Sequence, residues 1–398
     1  MRTTFCGLTL QNPFMLAAGP PTASGAMISR AFDRGWGGAV TKTIFLDSER
    51  TLSPSPRLQV LRTHSSRTSP IYGFRNIEMG STRPLSLWEN DIRDLRSKYP
   101  NNLLLTSIGS VCGKRENWQE IAKRCQDSGA QALEINVSCP HGGATHMPPG
   151  MAIGQDPDTT ARITGWVKSV ATIPVIVKLT PNVADIVSVG IAAQNAGADA
   201  ISAINTVQSI AGINLDTFTP QPSVGLYSTA GGLSGLAIHP MALNAVARLA
   251  QGVGLPLIGI GGVSDWRSAI EFIALGASLV QICTAVMING YGIIDQLKEG
   301  LATYLRNKSL KDILEIRGRA LAQLEDIITL CNAPRVVAQI DNETCSLCGQ
   351  CVSLCQDAGQ QAITQGTAVM IDKETCTGCG LCAAMCPVDG CISMVSIG

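Results

Sequence analysis

Charge is scarce in this chain, and neither sign is in excess. Of 398 residues only 15% are charged, divided equally between 30 basic and 30 acidic side chains. Such a balance argues against nucleic acid or an anionic membrane as the principal partner. Long apolar runs are lacking too: stretches such as 186–193 are short and broken by Asn, Gln or Asp, well under the ~18 to 20 residues of a membrane span. The amino terminus, Met1-Arg2-Thr3-Thr4-Phe5-Cys6, shows no signal-peptide pattern, so the oxidising compartment that a disulfide scaffold needs is not indicated. The expectation is a soluble, cytoplasmic protein, and its 40 glycines suit a loop-rich α/β enzyme.

Cysteine, by contrast, is abundant and ordered. Eight cysteines form two matching runs, Cys345-xx-Cys348-xx-Cys351-xxx-Cys355 and Cys376-xx-Cys379-xx-Cys382-xxx-Cys386-Pro387. A [4Fe-4S] cube needs four thiolates, and a tight loop presents only three of them, so each run sends its fourth cysteine to the other cluster. The spacing predicts Cys345, Cys348, Cys351 and Cys386 on one cluster, and Cys376, Cys379, Cys382 and Cys355 on the other. Zinc ribbons use isolated CxxC pairs with longer spacers and fit less well. Gln356 stands after Cys355 where Pro387 follows Cys386, which alters a turn and leaves the ligands in place. Of the seven other cysteines, Cys6, Cys112, Cys125, Cys283, Cys331 and Cys391 are expected mostly as small buried hydrophobes; Cys139 is discussed below.

Between residues 12 and 306, eight short apolar runs alternate with longer stretches of helical period. The runs are Pro13–Ala18, Ala39–Lys42, Leu103–Ile108, Ala132–Val137, Val175–Leu179, Ala200–Ile204, Pro256–Ile260 and Leu279–Thr284. Nearly continuous apolar character marks buried parallel strands. Helices are expected over 91–99, 117–128, 158–170, 183–196, 240–251 and 265–275, the last capped by Ser264 or Asp265. Eight strand-helix repeats predict a TIM (β/α)8 barrel. A doubly wound sheet would carry GxGxxG after its first strand, where this chain has Ala17-Ala18-Gly19-Pro20-Pro21-Thr22. Two insertions, 43–88 and 207–239, are long enough to be functional or lid-like. The domains expected are a barrel over 1–306, a helical connector over 307–340 and a small α+β ferredoxin-like domain over 341–398.

Barrel enzymes place their reactive groups at the carboxyl ends of the strands. Those ends carry Ala18-Gly19, Lys42-Thr43, Ser107, Asn136-Val137-Ser138-Cys139-Pro140-His141, Lys178, Asn205-Thr206, Gly261-Gly262 and Thr284-Ala285. Glycine pairs after strands often make nothing more than turns. Here Gly261-Gly262 and Thr284-Ala285 follow the seventh and eighth strands, where barrels commonly hold a phosphate, and two strand-end lysines accompany them. A phosphorylated cofactor is indicated. FMN fits best, because single electrons from clusters need a centre that converts them to hydride. Cys139 is open between a proton donor or nucleophile and a buried thiol, and His141 between a catalytic role and a backbone hydrogen bond.

With these residues in view, the chain resembles the pyrimidine-reducing portion of the dihydropyrimidine dehydrogenases over essentially its whole length. The resemblance rests on Gly35-Trp36-Gly37-Gly38 before Thr41-Lys42-Thr43, Arg75-Asn76-Ile77-Glu78, the Asn136–His141 segment, Gly154-Gln155-Asp156-Pro157, Lys178-Leu179-Thr180-Pro181-Asn182, Asn205-Thr206-Val207, Gly231-Gly232-Leu233-Ser234-Gly235 and the paired cysteine runs. The related dihydroorotate dehydrogenases usually lack a fused ferredoxin-like tail. The resemblance implies FMN held by Ala18, Lys42, Thr43, Lys178, Gly232, Gly261, Gly262, Thr284 and Ala285, with Lys178 near its N1 and O2 edge. It implies a pyrimidine read by Asn76, Glu78, Asn136, Asn205 and Thr206, and Cys139 as the acid that protonates C5 after hydride reaches C6. It further implies electrons from an FAD- and NAD(P)H-binding subunit, in a dimer of heterodimers. The family carries an apolar isoleucine two residues after Glu78; Gly80 stands there in this chain, which predicts a larger pocket and a bulkier ring. Rival readings are reduction of another nitrogen heterocycle, a dihydroorotate-type oxidation, and a mainly electron-transferring subunit whose barrel is structural.

Overall fold

The computed structural model describes residues 1–50, 52–110, 114–138, 150–358 and 360–397, with the backbone alone at 150–152. The chain divides into two compact units, Met1–Gln323 and Leu324–Gly398.

The first unit is a closed barrel of eight parallel strands in chain order: Phe14–Leu16, Gly38–Val40, Leu103–Ile108, Ala132–Asn136, Val175–Leu179, Ala200–Ala203, Leu257–Ile260 and Ala277–Ile282. Each of the eight expected runs supplies one strand. Helices Gly25–Asp33, Leu85–Lys98, Arg115–Asp127, Pro157–Lys168, Ile186–Asn195, His239–Gly252, Trp266–Ala274 and Ile293–Asn307 cover the outside. The helix expected from residue 91 starts six residues earlier, because Pro84 supplies the turn that opens it.

Side-chain direction alternates along a strand, and this sorts the core into two layers. Phe14, Leu104, Leu133, Val175, Val177 and Val280 face the helices. Met15, Leu105, Ala132, Ile176, Ala200, Ile258 and Leu279 fill the barrel, which Phe5 and Leu10 from an amino-terminal hairpin close from below. Two residues further along the same inward rows stand Ser107, Glu134, Lys178, Ser202 and Gln281, all buried. The interior is therefore oily at the bottom and polar toward the carboxyl ends of its strands.

The two insertions fold together. Strands Leu58–Arg62 and Ile71–Asn76 from the first pair with Gly231–Ser234 and Val207–Ser209 from the second in one four-stranded sheet, with Asn76 opposite Gly232 and Phe74 opposite Ser234. Arg75 knits them: fully buried, it donates to the carbonyls of Ser209, Gln221 and Thr229.

The stretch expected as a helical connector is split instead between the units. Residues 313–315 and 321–323 are single 3-10 turns belonging to the barrel unit, with Ile313 and Ile316 in its core. A five-residue helix, Ile327–Cys331, and the strand Val336–Ile340 belong to the second unit.

That second unit pairs Val336–Ile340 with Ile392–Ser396 and Ile363–Gln365 with Val369–Ile371, both antiparallel, and adds helices Gln350–Asp357 and Leu381–Ala384. Its two halves repeat one device. Gly349 (φ 74°) and Gly380 (φ 76°) each follow the second cysteine of a run and take the left-handed conformation that starts the helix. No helix among the described residues is long and apolar enough to cross a membrane.

Candidate active site

A cleft of about 1120 Å³, including its open mouth, lies over the polar end of the barrel interior. Ala18, Lys42, Thr43, Asn76, Glu78, Asn136, Lys178, Asn205, Thr206, Gly261, Gly262 and Thr284 all line it. Gly232 and Ala285 stand just outside the lining. The Gly232 carbonyl accepts from Asn76 Nδ2 at 3.2 Å, and a Cβ on Gly232 would fall 2.2 Å from Thr206 Oγ1. Ala285 is buried in the first turn of helix Thr284–Asn289. Cys112, Cys139, Pro140, His141 and the rest of 142–149 lie outside the described residues.

Two buried ion pairs set the charge of the cleft. Lys42 Nζ is 2.9 Å from Glu78 Oε2, with both side chains 11% exposed, and Arg57 Nε donates to Glu78 Oε1 at 3.0 Å. Lys178 Nζ is 3.5 Å from Glu134 Oε1, an ion contact too long to serve as a good hydrogen bond. Glu134 Oε2 accepts from Ser202 Oγ and Gln281 Nε2, both at 3.0 Å. Arg57, Glu134 and Gln281 escaped the sequence reading. A carboxylate in the middle of the apolar run Ala132–Val137 was the signal available for Glu134, since acidic groups are almost never fully buried without a partner.

Between the lysines runs a network of amides and hydroxyls. Asn136 Nδ2 donates to Thr43 Oγ1 at 2.9 Å, and Thr43 shares a 3.0 Å bond with Ser107. Asn205 Nδ2 donates to Ser138 Oγ at 2.9 Å and to Asn136 Oδ1 at 3.3 Å, while Asn205 Oδ1 accepts from Thr206 N at 2.8 Å. These groups offer both donors and acceptors on one wall.

A glycine cradle lines the cleft as well. Gly235, Gly261 and Gly262 take φ values of 88°, 134° and 72°. A Cβ on Gly262 would lie 2.6 Å from His239 Cβ and 2.8 Å from the Gly235 carbonyl. His239 bridges the Gly261 carbonyl (3.0 Å) and Glu271 Oε2 (2.7 Å), holding this loop from behind. Helix Thr284–Asn289 begins beside the cradle without a side-chain cap, so the backbone N–H groups of Thr284 and Ala285 at its start remain available to an anion. The donor set thus fits a phosphorylated cofactor, and the buried, unpartnered Gln281 Oε1 adds an acceptor on the cleft floor.

Cys283 also lines the cleft. Burial pushes its thiol up to about 11, against the pull of Lys178 and Lys42, so it stays protonated at neutral pH. Cys6, Cys125 and Cys391 are buried or nearly so, whereas Cys331 is exposed, contrary to the general expectation for these thiols.

Gly80 does not enlarge the cleft as expected. The space a side chain would take there is filled by Phe45, whose Cε2 lies 2.2 Å from the position of a Cβ on Gly80.

In the second unit, Cys345, Cys348, Cys351 and Cys386 line one hollow of about 310 Å³. Cys355, Cys376, Cys379 and Cys382 line another of about 400 Å³. No group of His, Cys, Asp or Glu among the described residues closes on a single metal ion; the thiols ring a space, as a cube needs.

Residues 1–305 match the family model described as dihydroorotate dehydrogenase, and residues 338–394 match that of a 4Fe-4S dicluster domain. The chain is 38% identical over 332 residues, 81% of its length and 77% of the relative's, to the chloroplastic dihydropyrimidine dehydrogenase (NADP(+)) of Arabidopsis thaliana. It is 36% identical over 366 residues, 90% of its length and 86% of the relative's, to the NAD-dependent dihydropyrimidine dehydrogenase subunit PreA of Escherichia coli (strain K12). It is 37% identical over 315 residues, 79% of its length and 97% of the relative's, to the catalytic subunit of dihydroorotate dehydrogenase B (NAD(+)) of Pyrococcus abyssi.

Proposed function

Because the chain belongs to the dihydroorotate dehydrogenase family and is an oxidoreductase with a dicluster tail, we propose that it reduces uracil or thymine to the 5,6-dihydropyrimidine. The observation that carries this reading is the charge pairing of the cleft. Lys42 and Arg57 share the single carboxylate of Glu78, and Lys178 faces Glu134, so every one of these three cations already touches one of two carboxylates. A neutral ring enters such a site without breaking a pair. Orotate or dihydroorotate carries its own carboxylate and would have to compete with Glu78 or Glu134 for a cation.

The residues divide the work. Ala18, Lys42, Thr43, Gly232, Gly261, Gly262, Thr284 and Ala285 would hold FMN, with its phosphate toward the glycine cradle. Lys178 would place a positive charge by the N1–O2 edge, where it favours the reduced anion. Bound there, FMN supplies the hydride that reaches C6 of the ring. Asn76, Glu78, Asn136, Asn205 and Thr206 read the amide edges; Asn136 and Asn205 exchange the bond between them for bonds to the ring, while Glu78 keeps its cations and accepts on a remaining lone pair. Cys139 delivers the proton to C5. Cys345, Cys348, Cys351 and Cys386 hold one [4Fe-4S] cluster, and Cys355, Cys376, Cys379 and Cys382 the other; the crossed grouping of the two hollows supports this assignment. Bound there, the clusters would supply single-electron transfer, fed by an NAD(P)H-oxidising, FAD-binding subunit in a dimer of heterodimers.

The test is anaerobic. The chain is purified with its clusters, reduced chemically, mixed with uracil or thymine, and flavin reoxidation is followed by absorbance. Fast reoxidation that yields dihydropyrimidine and slows at least about 100-fold in Cys139→Ala supports ring and acid together. Bound FMN that no pyrimidine reoxidises sinks the substrate assignment. Full turnover in Cys139→Ala removes the acid.

A further inference from the structure

Gly80 stands where the resemblance implies an apolar side chain, and Phe45 occupies the space such a side chain would take. The second barrel strand continues past Val40 as an extended segment held on both sides. On one side Ser81 N donates to the Thr43 carbonyl at 2.8 Å; on the other Ile44 N donates to the Ser107 carbonyl at 2.8 Å and its own carbonyl accepts from Gly109 N at 3.0 Å. Residues 43–45 therefore run between Gly80 and Gly109.

The ring of Phe45 fills the gap beside them. A Cβ on Gly80 would lie 2.2 Å from Phe45 Cε2 and 2.9 Å from Cδ2, and one on Gly109 would lie 2.8 Å from both Cε1 and Cζ. Carbon atoms settle at about 3.5–4.0 Å, so the ring excludes a side chain at either position. Neither glycine has a left-handed φ. Their backbone torsions would accept any residue; the ring is the first obstacle to a side chain, and Thr43, whose carbonyl oxygen and Cγ2 would lie 3.1 Å from the Gly80 and Gly109 Cβ positions, is the second. Gly80 lines the cleft together with Met79, Glu78 and Thr43, and the half-buried Phe45 stands behind that wall.

We propose that Phe45, clamped between Gly80 and Gly109, is a positioning residue that sets ring size, bracing the Met79–Gly80 wall so that the cleft admits one six-membered ring and rejects a fused bicyclic nitrogen heterocycle. Removing the ring leaves a void about the size of the second ring of a purine, into which the wall can retreat. The inference rests on the pyrimidine reading of the cleft.

The experiment compares uracil with xanthine, which keeps the uracil amide edges and adds a fused ring. Dissociation constants are measured by perturbation of the flavin absorbance in the full, cluster-containing chain. In the native protein uracil should bind at least about 100-fold more tightly, and Phe45→Ala should narrow that ratio about tenfold or more, the scale of a hydrophobic size filter. Phe45→Leu should fall between them, and Phe45→Ala with Gly80→Ile should restore the discrimination by putting volume back. FMN content should stay unchanged throughout. A Phe45→Ala protein that melts earlier yet keeps the native ratio overturns the size filter and leaves the pyrimidine reading standing. If Phe45→Ala does not fold, the Phe45→Leu and Phe45→Ala/Gly80→Ile ratios decide the matter. A native protein that binds no uracil overturns the pyrimidine reading, and the filter falls with it.

Discussion

Glu134→Leu probes the electrostatic core of the site. The substitution removes the carboxylate that faces Lys178 at 3.5 Å and leaves the lysine, only 6% exposed, without its counter-charge. At an effective dielectric of about 20, two charges at that distance attract by about 5 kcal/mol. Stranding one partner of a buried pair costs about 3–5 kcal/mol, and Ser202 and Gln281 lose their acceptor as well. At about 2 cal/mol/K per residue of unfolding entropy, the 323 residues of Met1–Gln323 convert this loss into a melting temperature lower by about 4–7 °C. The assay is built into the sequence, because Trp36, Trp88, Trp118, Trp166 and Trp266 are the chain's 5 tryptophans and all lie in the barrel unit. Their fluorescence reports that unit alone, and it should be followed on flavin-free protein so that cofactor binding does not enter the comparison. Glu134→Leu combined with Lys178→Met should recover most of the loss, since both charges are then gone. A single variant costing under about 1 kcal/mol, or a double variant as unstable as the sum of the singles, would refute the reasoning.

Gly262→Ala places a Cβ 2.6 Å from His239 Cβ at a φ of 72°, so FMN affinity, read from flavin fluorescence, should fall about tenfold or more. Arg75→Met strips the donors from the carbonyls of Ser209, Gln221 and Thr229. Proteolytic cleavage within 207–239 should then accelerate at least about tenfold, because each orphaned buried acceptor costs about 1–3 kcal/mol. Burial pushes the thiols of Cys6 and Cys283 up to about 11 and that of Cys125 up to about 12, from 9.0. The folded chain keeps protons that the unfolded chain releases from about pH 9 upward. Urea midpoints should therefore show no loss from these groups below pH 9 and a decline between about 9 and 11. At pH 8 iodoacetamide should label the exposed Cys331 at least about ten times faster than Cys283.

Local pattern carried a large part of this protein. Eight apolar runs at helix-length spacing, with no GxGxxG after the first, favour a parallel barrel with helices outside over an open sheet, and that closure delivers Lys42, Thr43, Asn136, Lys178, Asn205 and Thr206 to one end. The two CxxCxxCxxxC runs announce a dicluster module because their spacing is itself the ligand geometry. What tertiary structure alone decided lies at longer range. The insertions pair with each other through residues about 150 positions apart, such as Asn76 and Gly232, and hydrophobic period says nothing about which strand edges meet. Glu134 and Gln281 read as interruptions in apolar strands until the alternation of the barrel interior sets them under Lys178. Gly80 read as a lost side chain until Phe45, 35 positions earlier in the chain, was found in its place. Sequence displays volume that is missing at a position, and only packing shows which neighbour fills it.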